Sequence, residues 1–169
     1  MHRNPSRFPL PLALILGFVL AVPSHAEVKE ARPGPDPAIK AQLEALDYKY
    51  QVDEDGDFKL VFEIGDQGRS QIVYVLSTVE SYGELEVREI WSPAYTSPTE
   101  QFPAVIANRL LEASNQAKLG GWVKQGKNAI FVIKIPADAS KDVLDDATTA
   151  AMELADEMEN ELTPGQDEL

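Results

Sequence analysis

Four carboxylates crowd one glycine in Asp53-Glu54-Asp55-Gly56-Asp57, and oxygen-rich clusters of this kind are what a calcium ion takes as ligands. A calcium loop of EF-hand type needs oxygen ligands at its first, third and fifth positions, glycine at the sixth and a bidentate glutamate at the twelfth. Counted from Asp53, glycine stands fourth and the twelfth residue is Ile64. Glycine between aspartates is also what a hairpin turn requires, because both residues tolerate positive φ. The expectation is a turn, with no metal and no cofactor assigned.

A second group of acids, Asp142, Asp145 and Asp146, has the residue types for proton transfer or cation binding, and it supports an alternative reading as a carboxylate- or cation-dependent hydrolase. Acids in a first helical turn also complement the helix dipole and face water. The reading without chemistry is preferred, and no catalytic residue is assigned.

The opening segment MHRNPSRFPLPLALILGFVLAVPSHA has Arg3 and Arg7, then an apolar run from Leu12 to Val22, then small residues at Ser24 and Ala26. That order is the pattern of a secretory signal peptide, 1–26, cleaved after Ala26. The run is about half the ~20 residues that span a bilayer, so no stable membrane span is expected after processing. Both histidines, His2 and His25, fall inside this segment, and the chain has no cysteine. The remaining 143 residues therefore exclude Ser-His-Asp and Cys-His nucleophiles, histidine or thiolate metal sites, and disulfides. They carry 13 Lys and Arg against 28 Asp and Glu, a formal charge of −15. Such a surface repels phosphate backbones, so nucleic acid is not an expected ligand.

Residues 27–36 form a Pro-rich linker, with Pro33, Gly34 and Pro35. The domain follows over 37–162, with Asp36 as the N-cap of its first helix, Pro37 at the first helical position and Ile39, Leu43 and Leu46 on one face. Alternation then takes over, with Tyr48, Tyr50 and Val52 before the acidic turn and Phe58, Leu60, Phe62 and Ile64 after it. QIVYVLS gives a third strand. ELEVREIW gives a fourth, acidic enough to suggest an edge. Ser97 and Glu100 have capping-box spacing ahead of a helix expected over about Phe102 to Ala117, ended by Gly120 and Gly121. GWVKQ and AIFVIKIP make a second hairpin. Ser140 caps a long helix whose apolar positions are Val143, Ala147, Ala151, Leu154, Met158 and Leu162, and 163–169 is an acidic tail. The order α-β-β-β(-β)-α-β-β-α predicts an α+β fold, helices packed on an antiparallel sheet.

LEALDYKYQVDEDGDFKLVFEI, LLEASNQAKLGGWV and IPADASKDVLDDATTAAMELADEMENEL together resemble the YbjN family of small bacterial domains. The likeness covers about 37–162. It rests on the Tyr-containing hairpin after a leucine-rich helix, on Asn115 and Lys118 before Gly120-Gly121-Trp122, and on Ala155-Asp156 late in the last helix. It implies a fold like that of type III secretion chaperones and a role in regulating sensory transduction, with no catalytic residues to carry over. The expectation is an exported, periplasmic or secreted, non-enzymatic binding or chaperone-like module acting on a protein or peptide partner, or on a second copy of itself as a homodimer. WSPAYTSP, read as an aromatic loop beside the edge strand, makes Trp91 and Tyr95 the candidate partner-binding residues. The terminal Gln-Asp-Glu-Leu is similar to an ER-retention tetrapeptide and supports a further alternative, an ER lumenal protein.

Overall fold

The computed structural model describes residues 34–65 and 68–165. The signal-peptide segment 1–26, most of the linker, and the Gln166 to Leu169 ending lie outside the described residues. The fold is α+β, in the order α1 (Pro37–Ala45), β1 (Tyr50–Val52), β2 (Phe58–Ile64), β3 (Arg69–Tyr82), β4 (Leu85–Thr96), α2 (Ala104–Gln116), β5 (Gly121–Gln125), β6 (Asn128–Pro136) and α3 (Lys141–Leu162). The strands form one six-stranded sheet in the spatial order β1-β2-β3-β4-β6-β5, and every neighbouring pair is antiparallel.

Local chemistry starts the helices where the sequence predicts for α1 and α3. The Asp36 carboxylate accepts from the N–H groups of Ala38 (2.8 Å) and Ile39 (3.4 Å), and Ser140 Oγ accepts from Val143 N–H at 3.4 Å. For α2 the expected capping box does not form. The helix begins after Pro103 with no side-chain cap. Buried Ser97 instead closes a tight loop, its Oγ donating to Gln101 O at 3.1 Å and accepting from Thr99 N–H.

Alternation puts Phe58, Leu60, Val73, Val75, Ile90 and Phe131 on the sheet face that meets Leu43 of α1 and Leu144 and Ala147 of α3. Fully burying one such leucine or phenylalanine stabilises the fold by about 1.5 to 3 kcal/mol. A second cluster joins Ala94 and Tyr95 of β4 to Leu110 of α2 and Met158 of α3. The α3 stripe is rotated from the expected one. Leu144, Thr148, Ala155 and Glu159 are buried while Val143 is 42% exposed, because small alanines let the helix lie close to the sheet and carry neighbouring polar side chains inward.

Trp122 of β5 touches both clusters and meets Phe131 edge to face at 5.2 Å. The ring is half-buried rather than fully enclosed. Trp122→Ala should therefore lower stability by about 2 to 3 kcal/mol, short of the ~3 to 5 kcal/mol for a fully buried ring. Urea unfolding checks this, and an unchanged midpoint would place the indole in solvent.

The fourth strand departs most from expectation. β4 is not an edge. It lies between β3 and β6, and it runs on through Trp91, Pro93 and Tyr95 to Thr96, so the stretch read as a loop is strand. The edges are β1, three residues long, and β5. Short edges resist pairing with other chains, and α2 guards part of β5: Ser114 Oγ accepts from Trp122 N–H at 2.8 Å.

Pro93 is tolerated inside the sheet because the ladder is irregular there and side chains replace the missing bonds. The β4–β6 register shifts between Pro93 and Tyr95, and the β3–β4 ladder has no regular pair beyond Tyr74 and Trp91 at this end. Buried Gln71 donates from Nε2 to Pro93 O (2.7 Å) and Ser92 Oγ (2.9 Å), and Ser92 Oγ donates to Ile72 O at 2.7 Å. A second interruption, between Val75 and Val79 of β3, is filled from β4 by Arg88. Its guanidinium donates to Leu76 O (2.6 Å), Ser77 O (2.9 Å) and the Asp36 carboxylate (2.5 Å).

Candidate functional site

Among the described residues the three helices pack on one face of the six strands, and the face opposite α1 and α3 keeps a half-apolar floor. Along β3 the buried set is Gln71, Val73, Val75 and Ser77, while Ile72, Tyr74 and Leu76 point the other way and are half-exposed. Cross-strand register lines up Tyr74 with Trp91 and Trp91 with Val132; beside them Pro93 pairs with Ile130, and Ile130 with Val123. The result is a hollow of about 370 Å³ with Tyr74, Leu76, Trp91, Pro93 and Ile130 in its lining and Asp53, Asp55 and Asp57 at its rim.

Trp91 is held in this hollow by polar partners. Its indole N–H donates to Glu89 Oε2 at 2.6 Å, and Lys134 Nζ meets Glu89 Oε1 at 2.6 Å. The carboxylate beside Lys134 holds its ammonium above the usual lysine range, first through the hydrogen bond and then through charge. A ring fixed in this way loses little rotamer entropy on contact with a ligand. Burial raises the Tyr74 phenol pKa, and the Asp53 carboxylate adds to the rise. The Asp53 charge at the rim therefore reaches the aromatic floor, and Lys134 stands on the same face paired with Glu89.

The acidic stretch forms the expected turn. Asp53 Oδ1 accepts from the N–H groups of Asp55 and Asp57, both at 2.9 Å, and Gly56 takes φ +85°. Asp57 Oδ1 accepts from Ser77 N–H at 2.7 Å, and Ser77 Oγ donates to Gly56 O at 2.7 Å. Asp36 N–H in turn donates to Ser77 Oγ at 3.0 Å, so the turn is bolted to β3 and to the start of α1. Among the described residues no group of three or more His, Cys, Asp or Glu is placed to hold a metal ion.

The other acids sit apart from this hollow. Asp142 is exposed and meets Lys141 at 2.8 Å. Asp145 accepts a hydrogen bond from the Tyr48 hydroxyl, tying α3 to the connection between α1 and β1. Asn115 and Lys118 are exposed, and it is the neighbour Ser114 that braces β5. No helix among the described residues is long and apolar enough to cross a membrane.

Of the two aromatic candidates, the structure brings only Trp91 to the hollow. Tyr95, past the irregularity at Pro93, turns to the opposite face and is buried against Phe102 at 5.8 Å. Tyr74, Pro93 and Ile130 were not singled out from the sequence. The available signal was a strand apolar on both sides, QIVYVLS, in a chain with too few helices to bury two faces. No protein-family model matches this chain, and no curated protein matches it either, so the reading of this face rests on its geometry.

Proposed function

We propose that this chain is an exported, non-enzymatic binding module that holds an extended basic segment of a protein partner against the uncovered face of its sheet. The observation that carries the reading is the hollow around Trp91. An anchored indole lies among apolar side chains, with three aspartates on the rim. Aromatic anchors flanked by charge are how protein surfaces take up peptides, the ring supplying contact area and the rim selecting charge. The overall excess of 28 acidic over 15 basic side chains draws the same kind of ligand at longer range. The chaperone-like role implied by the YbjN resemblance and the export implied by segment 1–26 agree with a module that handles other proteins outside the cytoplasm.

Fluorescence anisotropy of a labelled synthetic Lys- and Leu-containing peptide, titrated with the protein, tests this. Wild type should show a saturable change that weakens as salt is raised. Trp91→Ala should remove binding by at least about tenfold while lowering stability by only about 1 to 2 kcal/mol, since the ring is half-exposed. Binding unchanged in Trp91→Ala would rule out this face.

A further inference from the structure

We propose that the binding track does not end at Trp91 but continues over β5 into an apolar notch beside α2, so that one extended partner segment is read at both ends, basic at the Asp53 to Asp57 turn and apolar at α2. This inference rests on the reading of the uncovered face given above. A second hollow of about 220 Å³ shares Trp91, Gln125 and Ile130 with the first and reaches Val123 and Lys124. A third, of about 470 Å³, shares Val123 and Lys124 with the second and is lined by Phe102, Leu110, Leu111 and Trp122. The three are therefore neighbours that share walls, in the order that an extended chain crossing β5 would meet them. The far end of that path is apolar and open, with Leu111 66% and Val123 48% exposed.

The length of the track sets the length of the occupant. From β3 to β5 are three interstrand steps of about 4.8 Å, and reaching the turn on one side and α2 on the other extends the path to roughly 30 Å. A fully extended segment of about nine residues covers that distance. Charge selects its chemistry: Lys or Arg at the end facing Asp53, Asp55 and Asp57, and Leu or Phe at the end facing Leu111 and Phe102. A second copy of this chain suits the track less well, because its acidic surface would meet an acidic rim.

Fluorescence anisotropy with two labelled synthetic peptides tests the proposal. One has about nine residues, with lysines at one end and leucine and phenylalanine at the other; its partner lacks the apolar end. Wild type should bind the longer peptide about tenfold more tightly, the effect of seating an apolar anchor. Leu111→Asp should abolish that advantage and leave the shorter peptide's affinity unchanged. The exposure of Leu111 leaves the fold intact in this variant, and Val123→Ser, changing another exposed side chain of the path, should act in the same direction. If the advantage survives both substitutions, the track stops at Trp91 and only the further inference falls. If neither peptide binds wild type, or Trp91→Ala leaves both affinities unchanged, the reading of the whole face falls with it. A dimer in sedimentation that Leu111→Asp dissociates would assign the notch to a second copy and overturn the proposal.

Discussion

Arg88→Met should destabilise the protein by about 3 to 5 kcal/mol, the range for removing one partner of a buried charge pair. Arg88 is 2% exposed, and its guanidinium serves three acceptors on two elements: Leu76 O and Ser77 O at the interruption of β3, and the Asp36 carboxylate that caps α1. Methionine fills much of the volume but donates to none of them, so two carbonyls lose their partners where little water reaches. Arg88→Lys keeps the charge without the planar fork and should recover only part of the loss. Urea unfolding with an unchanged slope checks the size. A loss under about 1 kcal/mol would mean that water can replace the guanidinium at the bulge.

The same contact sets a pH dependence. Burial pulls the Asp36 carboxyl pKa upward, but the Ala38 and Ile39 N–H groups and the Arg88 guanidinium outweigh it and hold the value below the ordinary 3.8. The folded state therefore binds the proton less well than the unfolded chain. Stability from this group is present above pH 3.8 and is lost as pH falls through the lower folded value. Arg88→Met removes the principal charge holding the value down, so the stability difference between wild type and variant should narrow as acid is added.

What could be read from the sequence was what depends on neighbours along the chain. Asp36 and Ser140 cap their helices as predicted because a cap bonds to N–H groups two or three residues on. The acidic stretch turns because Asp53 bonds to residues two and four ahead. β4 misled for the opposite reason. Pro93 and the charges of ELEVREIW are local signs of a loop and an edge, and what cancels them is distant. Gln71 mends the ladder at Pro93 from 22 residues away, and Glu89 is neutralised on the sheet by Lys134. Trp91 could be singled out, together with Tyr95, as an aromatic in a proline-punctuated stretch beside a supposed edge strand. Its companions Tyr74 and Ile130 could not, because they join it only through pairing register, which no local pattern encodes.

Gly120→Ala should lower stability by about 3 kcal/mol or more, although the residue lies at the surface and ahead of a strand. In the sequence it reads as a helix terminator, yet α2 has already ended at Gln116. Its requirement is one of space. Gly120 has φ +78°, and a Cβ there would stand 2.4 Å from the carbonyl oxygen of Val132 and 2.8 Å from Ile133 Cγ1. A backbone oxygen within an antiparallel ladder cannot swing aside as a side chain can, so β5 would have to shift away from β6. That shift would carry Trp122, which touches both core clusters, and Val123 on the uncovered face. Two neighbouring glycines separate the contributions. Gly126 has φ +57° with nothing within 4 Å of an added methyl, so Gly126→Ala registers backbone strain alone, about 1 to 2 kcal/mol. Gly121 lacks a positive φ and would meet only Ser114 at 3.5 Å, an ordinary contact, so Gly121→Ala should be tolerated. Thermal unfolding of the three variants should thus rank Gly120→Ala far below Gly126→Ala, with Gly121→Ala nearest wild type. Equal losses at Gly120 and Gly126 would show that β5 moves freely and that left-handed strain is the whole effect. The expected order instead makes the close approach at Val132 the point that fixes β5 beside β6, and with it the edge over which the proposed track passes.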